Sequence, residues 1–223
     1  MTKIALYDLD KTITKRPTYM PFLLHAAWRH ERWRLAFLPG LVFLFAGYLV
    51  RALDRARLKE LMQAMLLGSQ VDAGKMKEMA ESFAKATLEG NVHIQALAQI
   101  AKEKADGYRL VLATASYAFY AAPLARLLGF DDVIGTLVKR GEDEAILPKI
   151  DGENCYGEAK LRMVEAWGEE HGLPRDDLDV RFYSDSQTDL PVFDWSDDPI
   201  STNPNAKLRA IAEKRGWRII AWG

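Results

Sequence analysis

Two rhythms of hydrophobic and polar positions alternate along this chain. Short apolar-rich runs at residues 4–7, 108–113 and 180–183 end in small, hydroxyl or acidic residues. Such runs fit buried parallel strands, although periodicity alone does not separate them from buried helix. Residues 132–138, 198–201 and 217–222 read as further short strands, and residues 140–154 as a polar hairpin or loop. Between these runs the spacing is helical. Met76, Met79, Ala80 and Phe83 share one face, as do Ile94, Leu97, Ala98 and Ala101. Helices over residues 118–128 and 205–215 stop at Gly129 and Gly216, and another opens at Gly157.

The order of these elements predicts an α/β fold: a doubly wound, Rossmann-like parallel sheet with helices on both faces. After the first strand, a stretch that reads as helix almost throughout interrupts the alternation. It predicts a small all-helical cap at residues 16–88, with residues 1–15 and 89–223 forming the core.

The most apolar segment lies inside that insertion. Residues 35–50, LAFLPGLVFLFAGYLV, would span about 24 Å as an ideal helix, short of the roughly 20 residues needed to cross a bilayer. Pro39-Gly40 interrupts it. Arg29, Arg32 and Arg34 precede it, and Arg51, Arg55, Arg57 and Lys59 follow. Two readings stay open. One is a hydrophobic hairpin within the cap whose charged ends lie in water. The other is a surface dipping into an anionic membrane, with arginines at the headgroups.

Composition narrows the class. The 223 residues are 49% hydrophobic and 27% charged, enough apolar material for a real core. A net charge of -1 offers no global reason to expect nucleic acid. The single cysteine, Cys155, excludes an intrachain disulfide and fits a reducing, cytoplasmic location. The membrane reading would place the protein against the inner face. The acids at positions 8 and 10 break the first apolar run too early for a signal peptide. The oligomeric state stays open.

The candidate chemistry stands at the strand ends. Asp8 and Asp10 close the first run, and in an extended strand they point to one side. Two such carboxylates repel unless a cation lies between them, and a divalent ion suits their oxygens. An acidic turn capping a helix explains them equally well. Thr12 and Thr14 carry hydroxyls suited to an anion or a turn. The second run ends in Thr114-Ala115-Ser116, suited either to close backbone approach by an anion or to capping the next helix. The run at 180–183 ends in SDSQTD, which contains Asp185 and Asp189. In a parallel sheet these ends lie along one edge, with Lys160 delivered by the preceding helix. Such a set suits phosphoryl transfer.

With these residues in view, the chain resembles the haloacid dehalogenase superfamily of phosphatases, in its phosphoserine-phosphatase-like branch with a helical cap. DLDKT resembles the first motif of that family, VLATAS the second, GEAK the third and SDSQTD the fourth. The resemblance implies that Asp8 is the nucleophile and that Asp10 is the acid and base. It implies Mg2+ on the Asp8 carboxylate, the Asp10 main-chain carbonyl and Asp185. It places Thr114 and Lys160, with Leu9 and Ala115, at the phosphoryl group, and Asp189 behind Lys160. Lys149 is the rival for the Lys160 role. The implied function is Mg2+-dependent hydrolysis of a small phosphorylated metabolite through an aspartyl-phosphate. The alternatives are a phosphatidylglycerophosphate-type lipid phosphatase at the membrane surface and a phosphotransferase or mutase. Relatives specific for phosphoserine carry a cap glutamate for the substrate ammonium. Here no acid lies between Lys11 and His30, which disfavours an ammonium-bearing substrate.

Overall fold

The structure, a computed structural model, describes residues 1–222. Its centre is β1 (Thr2–Tyr7), whose residues Ile4, Ala5, Leu6 and Tyr7 are all buried. β1 lies between β2 (Arg109–Tyr117) and β5 (Leu178–Ser184), parallel to both. β3 (Asp132–Arg140) extends the sheet beyond β2. β6 (Asp198–Thr202) and β7 (Arg218–Ile220) extend it beyond β5, all parallel. β4 (Ile146–Asp151) closes one edge antiparallel to β3, so the polar stretch at 140–154 is a hairpin. The strand order is β4-β3-β2-β1-β5-β6-β7.

Successive side chains on a strand face opposite ways, and both faces of this sheet are covered. Ala5 and Tyr7 pack with α5 (Ile94–Ala105) and α6 (Ala118–Leu128). Ile4 and Leu6 pack with α7 (Glu158–Glu170), α8 (Leu190–Trp195) and α9 (Ala206–Arg215). A parallel strand buried on both faces reads as a continuous apolar run, which is why β1, β2 and β5 were legible.

The insertion contains α1 (Tyr19–His30), a 3-10 run (Arg32–Gly40), α2 (Leu41–Leu49), α3 (Arg55–Leu67) and α4 (Ala73–Asn91). Its end lies three residues beyond the expected 88. Lys15 N donates to Asn91 O at 2.7 Å, and His93 N donates to Ile13 O at 3.0 Å. The Asn91 side chain adds two more bonds to the backbone of Arg16. These bonds zip the entering and leaving chains together. α4 serves both lobes: Met76, Met79 and Phe83 join the cap cluster, while Ala84 and Leu88 join the sheet cluster.

The apolar segment 35–50 is not interred within the cap. The 3-10 run contributes no buried residue and α2 only Leu41. Phe43 is 80% exposed and Leu49 79%, with Val42 and Val50 beside them.

The cap is seated on the core through aromatic packing. Phe22 of α1 is fully buried, stacks on Tyr120 of α6 at 4.4 Å and meets Phe83 of α4 at 5.4 Å. Phe22→Ala is expected to cost about 3–5 kcal/mol, the range for deleting a buried phenyl ring. Urea denaturation followed by circular dichroism measures the loss.

Candidate active site

The chain turns sharply where β1 ends. Asp8 N donates to Tyr183 O at 2.9 Å, prolonging the pairing with β5 by one residue. Residues Leu9–Ile13 then form a wide helical turn, closed by Thr14 N donating to Leu9 O at 3.0 Å. Lys11 sits at its apex with φ 63°, a left-handed conformation that costs energy in a non-glycine residue. Asp10 therefore lies in a turn rather than on a strand face, and the two acids are presented separately. The Thr14 hydroxyl is taken by the carbonyls of Leu9 and Arg16, so it serves the turn. The Leu9 side chain is wholly buried in the sheet cluster, leaving only its backbone for any role at the site.

α7 delivers the cation. Gly157, with φ 59°, precedes its first turn in a conformation that favours glycine. Lys160 Nζ donates to Asp8 Oδ1 at 2.8 Å and to Asp189 Oδ2 at 2.7 Å, and all three side chains are buried. Ser184 Oγ also donates to Asp189 Oδ2 at 2.7 Å. Lys149 is exposed on edge strand β4, so Lys160 is the lysine at the carboxylates. Burial works against the Lys160 charge, but Asp189 and Asp8 outweigh it and hold the ammonium charged. Burial pushes the Asp8 carboxyl up. The Lys160 ammonium pulls it down, yet with Asp189 also repelling, Asp8 stays above the ordinary carboxylate range.

Thr12 joins the ends of β1 and β5. Its hydroxyl faces Asp8 Oδ2 at 3.4 Å and accepts from Asp185 N at 3.0 Å. Asp185 is pushed up to about 6, chiefly by burial. Among the described residues its carboxylate receives no hydrogen bond. Asp8 and Asp185 offer carboxylate oxygens to a hard cation at this cavity. Among the described residues no cluster of three or more His, Cys, Asp or Glu side chains forms a ready-made metal site. The under-compensated acids fit a divalent ion that takes oxygen ligands and keeps several waters, as Mg2+ does.

Asp10 is held by Thr18, which the sequence reading passed over, and by Ser116, which it placed in the strand-end tripeptide. Thr18, at the start of the cap, donates to Asp10 Oδ1 through its backbone N at 2.7 Å and its hydroxyl at 2.8 Å. Ser116 Oγ donates to Oδ2 at 3.1 Å and accepts from Tyr120 OH at 2.6 Å. Burial still pushes the Asp10 carboxyl up. Thr114 does not cap α6. Its hydroxyl accepts from Ser116 N at 3.0 Å, which leaves its own proton to give.

Lys59 reverses an expectation. It stood among the basic residues flanking the apolar segment, but here it is buried. Its ammonium donates to Ala115 O at 2.7 Å and Asn154 Oδ1 at 2.9 Å, and lies 4.1 Å from the centre of the Tyr117 ring. Burial first, and the Arg55 charge second, push it down to about 7. Arg55 stacks on Tyr156 at 4.2 Å. Asp8, Asp10, Thr114, Ala115, Lys160, Asp185 and Asp189 all line one cavity of about 220 Å3, with Arg55 and Tyr156 at its wall.

A family description, haloacid dehalogenase-like hydrolase, matches residues 5–194, spanning the strand ends that build this cavity. The chain belongs to the haloacid dehalogenase-like hydrolases. Within this hydrolase family it is 29% identical to Protein CicA of Caulobacter vibrioides over 97% of this chain and 86% of that one. It is 26% identical to phosphoserine phosphatase SerB1 of Mycobacterium tuberculosis, over 98% of this chain and 70% of that one. The crystal structure of a protein of unknown function from Bordetella pertussis superimposes with a TM-score of 0.86 at 27% identity. That match covers 99% of this chain and 98% of the other. The hydrolase fold, capped core included, is shared along nearly the whole chain.

Among the described residues Lys160 is the one cation bonded to two buried acids. Lys160→Met leaves Asp8 facing Asp189, so one carboxyl must take up a proton for the chain to fold. A carboxyl raised in the folded state stabilises below its ordinary range and loses that stability as pH rises through the folded value. The variant is expected to lose about 3 kcal/mol, and more at pH 8 than at pH 5. Urea denaturation at the two pH values checks both the size and the sign.

Proposed function

We propose that this hydrolase is a Mg2+-dependent phosphomonoester phosphatase that works through an aspartyl-phosphate on Asp8. The observation that carries this reading is the Lys160 ammonium bridging Asp8 and Asp189 at adjacent parallel strand ends. It occupies Asp8 Oδ1, while Oδ2 has only the distant Thr12 hydroxyl as a neighbour. An oriented carboxylate beside a fixed positive charge suits attack on phosphorus.

In this reading Asp8 forms the new O–P bond as the bond to the leaving oxygen breaks. Asp10, its carboxyl raised by burial, gives that oxygen its proton. Asp10 then takes a proton from the water that attacks the phosphoryl group, and phosphate leaves with Asp8 restored. Thr114 donates its free hydroxyl proton to a phosphoryl oxygen. The backbone N–H groups of Leu9 and Ala115, with Lys160, hold the others. Asp8, Asp185 and the Asp10 carbonyl would hold Mg2+, which when bound offsets the charge of phosphate and carboxylates. Asp189 keeps Lys160 in place. Residues 16–91 act as the cap that closes over the leaving group.

The substrate class is a small phosphorylated metabolite without an ammonium group, because no acid lies between Lys11 and His30 to meet one. A cytoplasmic location fits, with the single cysteine buried and reduced. Phosphate release from a panel of phosphomonoesters, with and without Mg2+, tests the reading, and free phosphate as product separates it from phosphotransfer. Asp8→Asn is expected to lower turnover by about 10^4-fold or more; full activity in that variant overturns the mechanism. Asp10→Asn is expected to cost roughly 10^2- to 10^4-fold. Mg2+ should raise the melting temperature more at pH 7.5 than at pH 5, because it binds the ionised carboxylates.

A lipid phosphate at a bilayer surface is the second reading, and the exposed face of α2 favours it. The run Arg32–Leu49 is long and apolar enough, by length and composition, to cross a membrane. It is split at Pro39-Gly40 into 3-10 and α-helical halves, and arginines border it. That arrangement suits lying in the interface of an anionic membrane. Sedimentation with anionic vesicles at low salt is expected to pull the protein down, and Phe43→Ser with Leu49→Ser to weaken binding at least tenfold.

A further inference from the structure

Beneath the cap lies a second cavity, of about 580 Å3, within the range of small-molecule sites. Asp10, Pro17, Arg55 and Ala115 line both it and the phosphate cavity, so the two spaces meet at these four residues. Beyond that doorway the walls are Tyr19, Met20, Phe45, Tyr48, Leu58 and Met62.

Three observations bear on what the chamber takes. The doorway includes Asp10, the acid facing the leaving oxygen, so the leaving alcohol lies on the chamber's side of the phosphorus. Most of the polar groups deep inside already have protein partners. Tyr19 OH donates to Lys59 O at 2.6 Å, the Lys59 ammonium serves Ala115 and Asn154, and Ser116 serves Asp10. A polyol or amino acid would forfeit its hydration there and gain few hydrogen bonds in return. Finally, Phe45 and Tyr48, themselves partly exposed, form the outer wall on α2, the helix that also exposes Val42, Phe43 and Leu49. The chamber thus leads from the reacting phosphate to an apolar surface.

We propose that this chamber binds the leaving alcohol and selects phosphomonoesters that carry an alkyl or acyl chain. The inference rests on the phosphatase reading and narrows its substrate class to esters with an apolar chain. Arg55 stands where the phosphate ester meets the chain, and among the described residues no carboxylate forms an ion pair with its guanidinium.

The test is a chain-length series from ethyl to octyl phosphate, each kept monomeric, beside glycerol phosphate and phosphoserine. Phosphate release by the wild type gives kcat/KM, and calorimetry on Asp8→Asn with the same esters gives affinity without turnover. Both are expected to rise roughly twofold to fourfold per methylene until the chamber is full, following the transfer of apolar groups from water. Phe45→Trp, a change at a half-exposed position, should shift the optimum to shorter chains. Phosphatidic acid in vesicles is run alongside, and whether it or free octyl phosphate is preferred identifies a bilayer or a soluble source of the same chemistry. Turnover that is flat with chain length, or glycerol phosphate outperforming the octyl ester, overturns the chamber and leaves the phosphatase reading standing. Affinity that climbs with chain length while no ester is hydrolysed supports the chamber and overturns the phosphatase reading. Neither binding nor turnover overturns both.

Discussion

One buried ammonium organises this protein. Lys160 reaches from α7 to the ends of β1 and β5 and bonds Asp8 and Asp189 there. Burying an ion is costly, and burying three is tolerable only when charges and hydrogen bonds offset one another. Ser184 and Thr12 supply part of that compensation, but the tally remains acidic: Asp8, Asp10, Asp185 and Asp189 share the cavity with one buried lysine, and Lys11 and Arg55 stand at its wall. A fold optimised only for stability would have paired or removed the excess. Its persistence at the open end of a parallel sheet is the feature that makes the cavity receptive to a cation and a phosphoryl group.

The helical insertion helps to build the candidate site. Asp10 is fixed partly by Thr18, the residue just before α1, and partly by Ser116 of β2. Lys59 of α3 ties the cap to the carbonyl of Ala115, near the end of β2. A displacement of the insertion would disturb the orientation of Asp10 and the end of β2 together. The packing of Phe22 on Tyr120 has a comparable consequence, because the Tyr120 hydroxyl completes the chain through Ser116 to Asp10. Hydrophobic seating of the cap and polar positioning of the acid share the same residues.

Much of the core was legible because burial on both faces of a parallel strand leaves a dense apolar run, and because chemistry collects where such runs stop. Asp8, Thr114, Lys160, Asp185 and Asp189 stood at or before those stops, and all line one cavity. Thr18, Lys59 and Arg55 were not legible as site residues, and Ser116 only as part of a strand-end tripeptide. Ser116, Lys59 and Arg55 acquire their contacts from partners far along the chain, and Thr18 from the turn that brings Asp10 back to it. Lys59 in particular reads as one more solvated base at the edge of an apolar segment; only its seating against Ala115, Tyr117 and Asn154 buries it.

The amino-acid sequence by itself determined the alternation of strand and helix, the position of the helical insertion and the acids at the strand ends. These follow from local spacing, turn residues and the demand that apolar faces be covered. Tertiary structure alone decided which lysine meets Asp8, how Asp10 is turned toward the cap, where the insertion is zipped shut and that α2 turns its apolar side outward. Those outcomes depend on distances between residues up to 152 positions apart, such as Lys160 and Asp8. No local periodicity encodes them, because the energy of a buried ion pair or an aromatic stack exists only once both partners have been brought together.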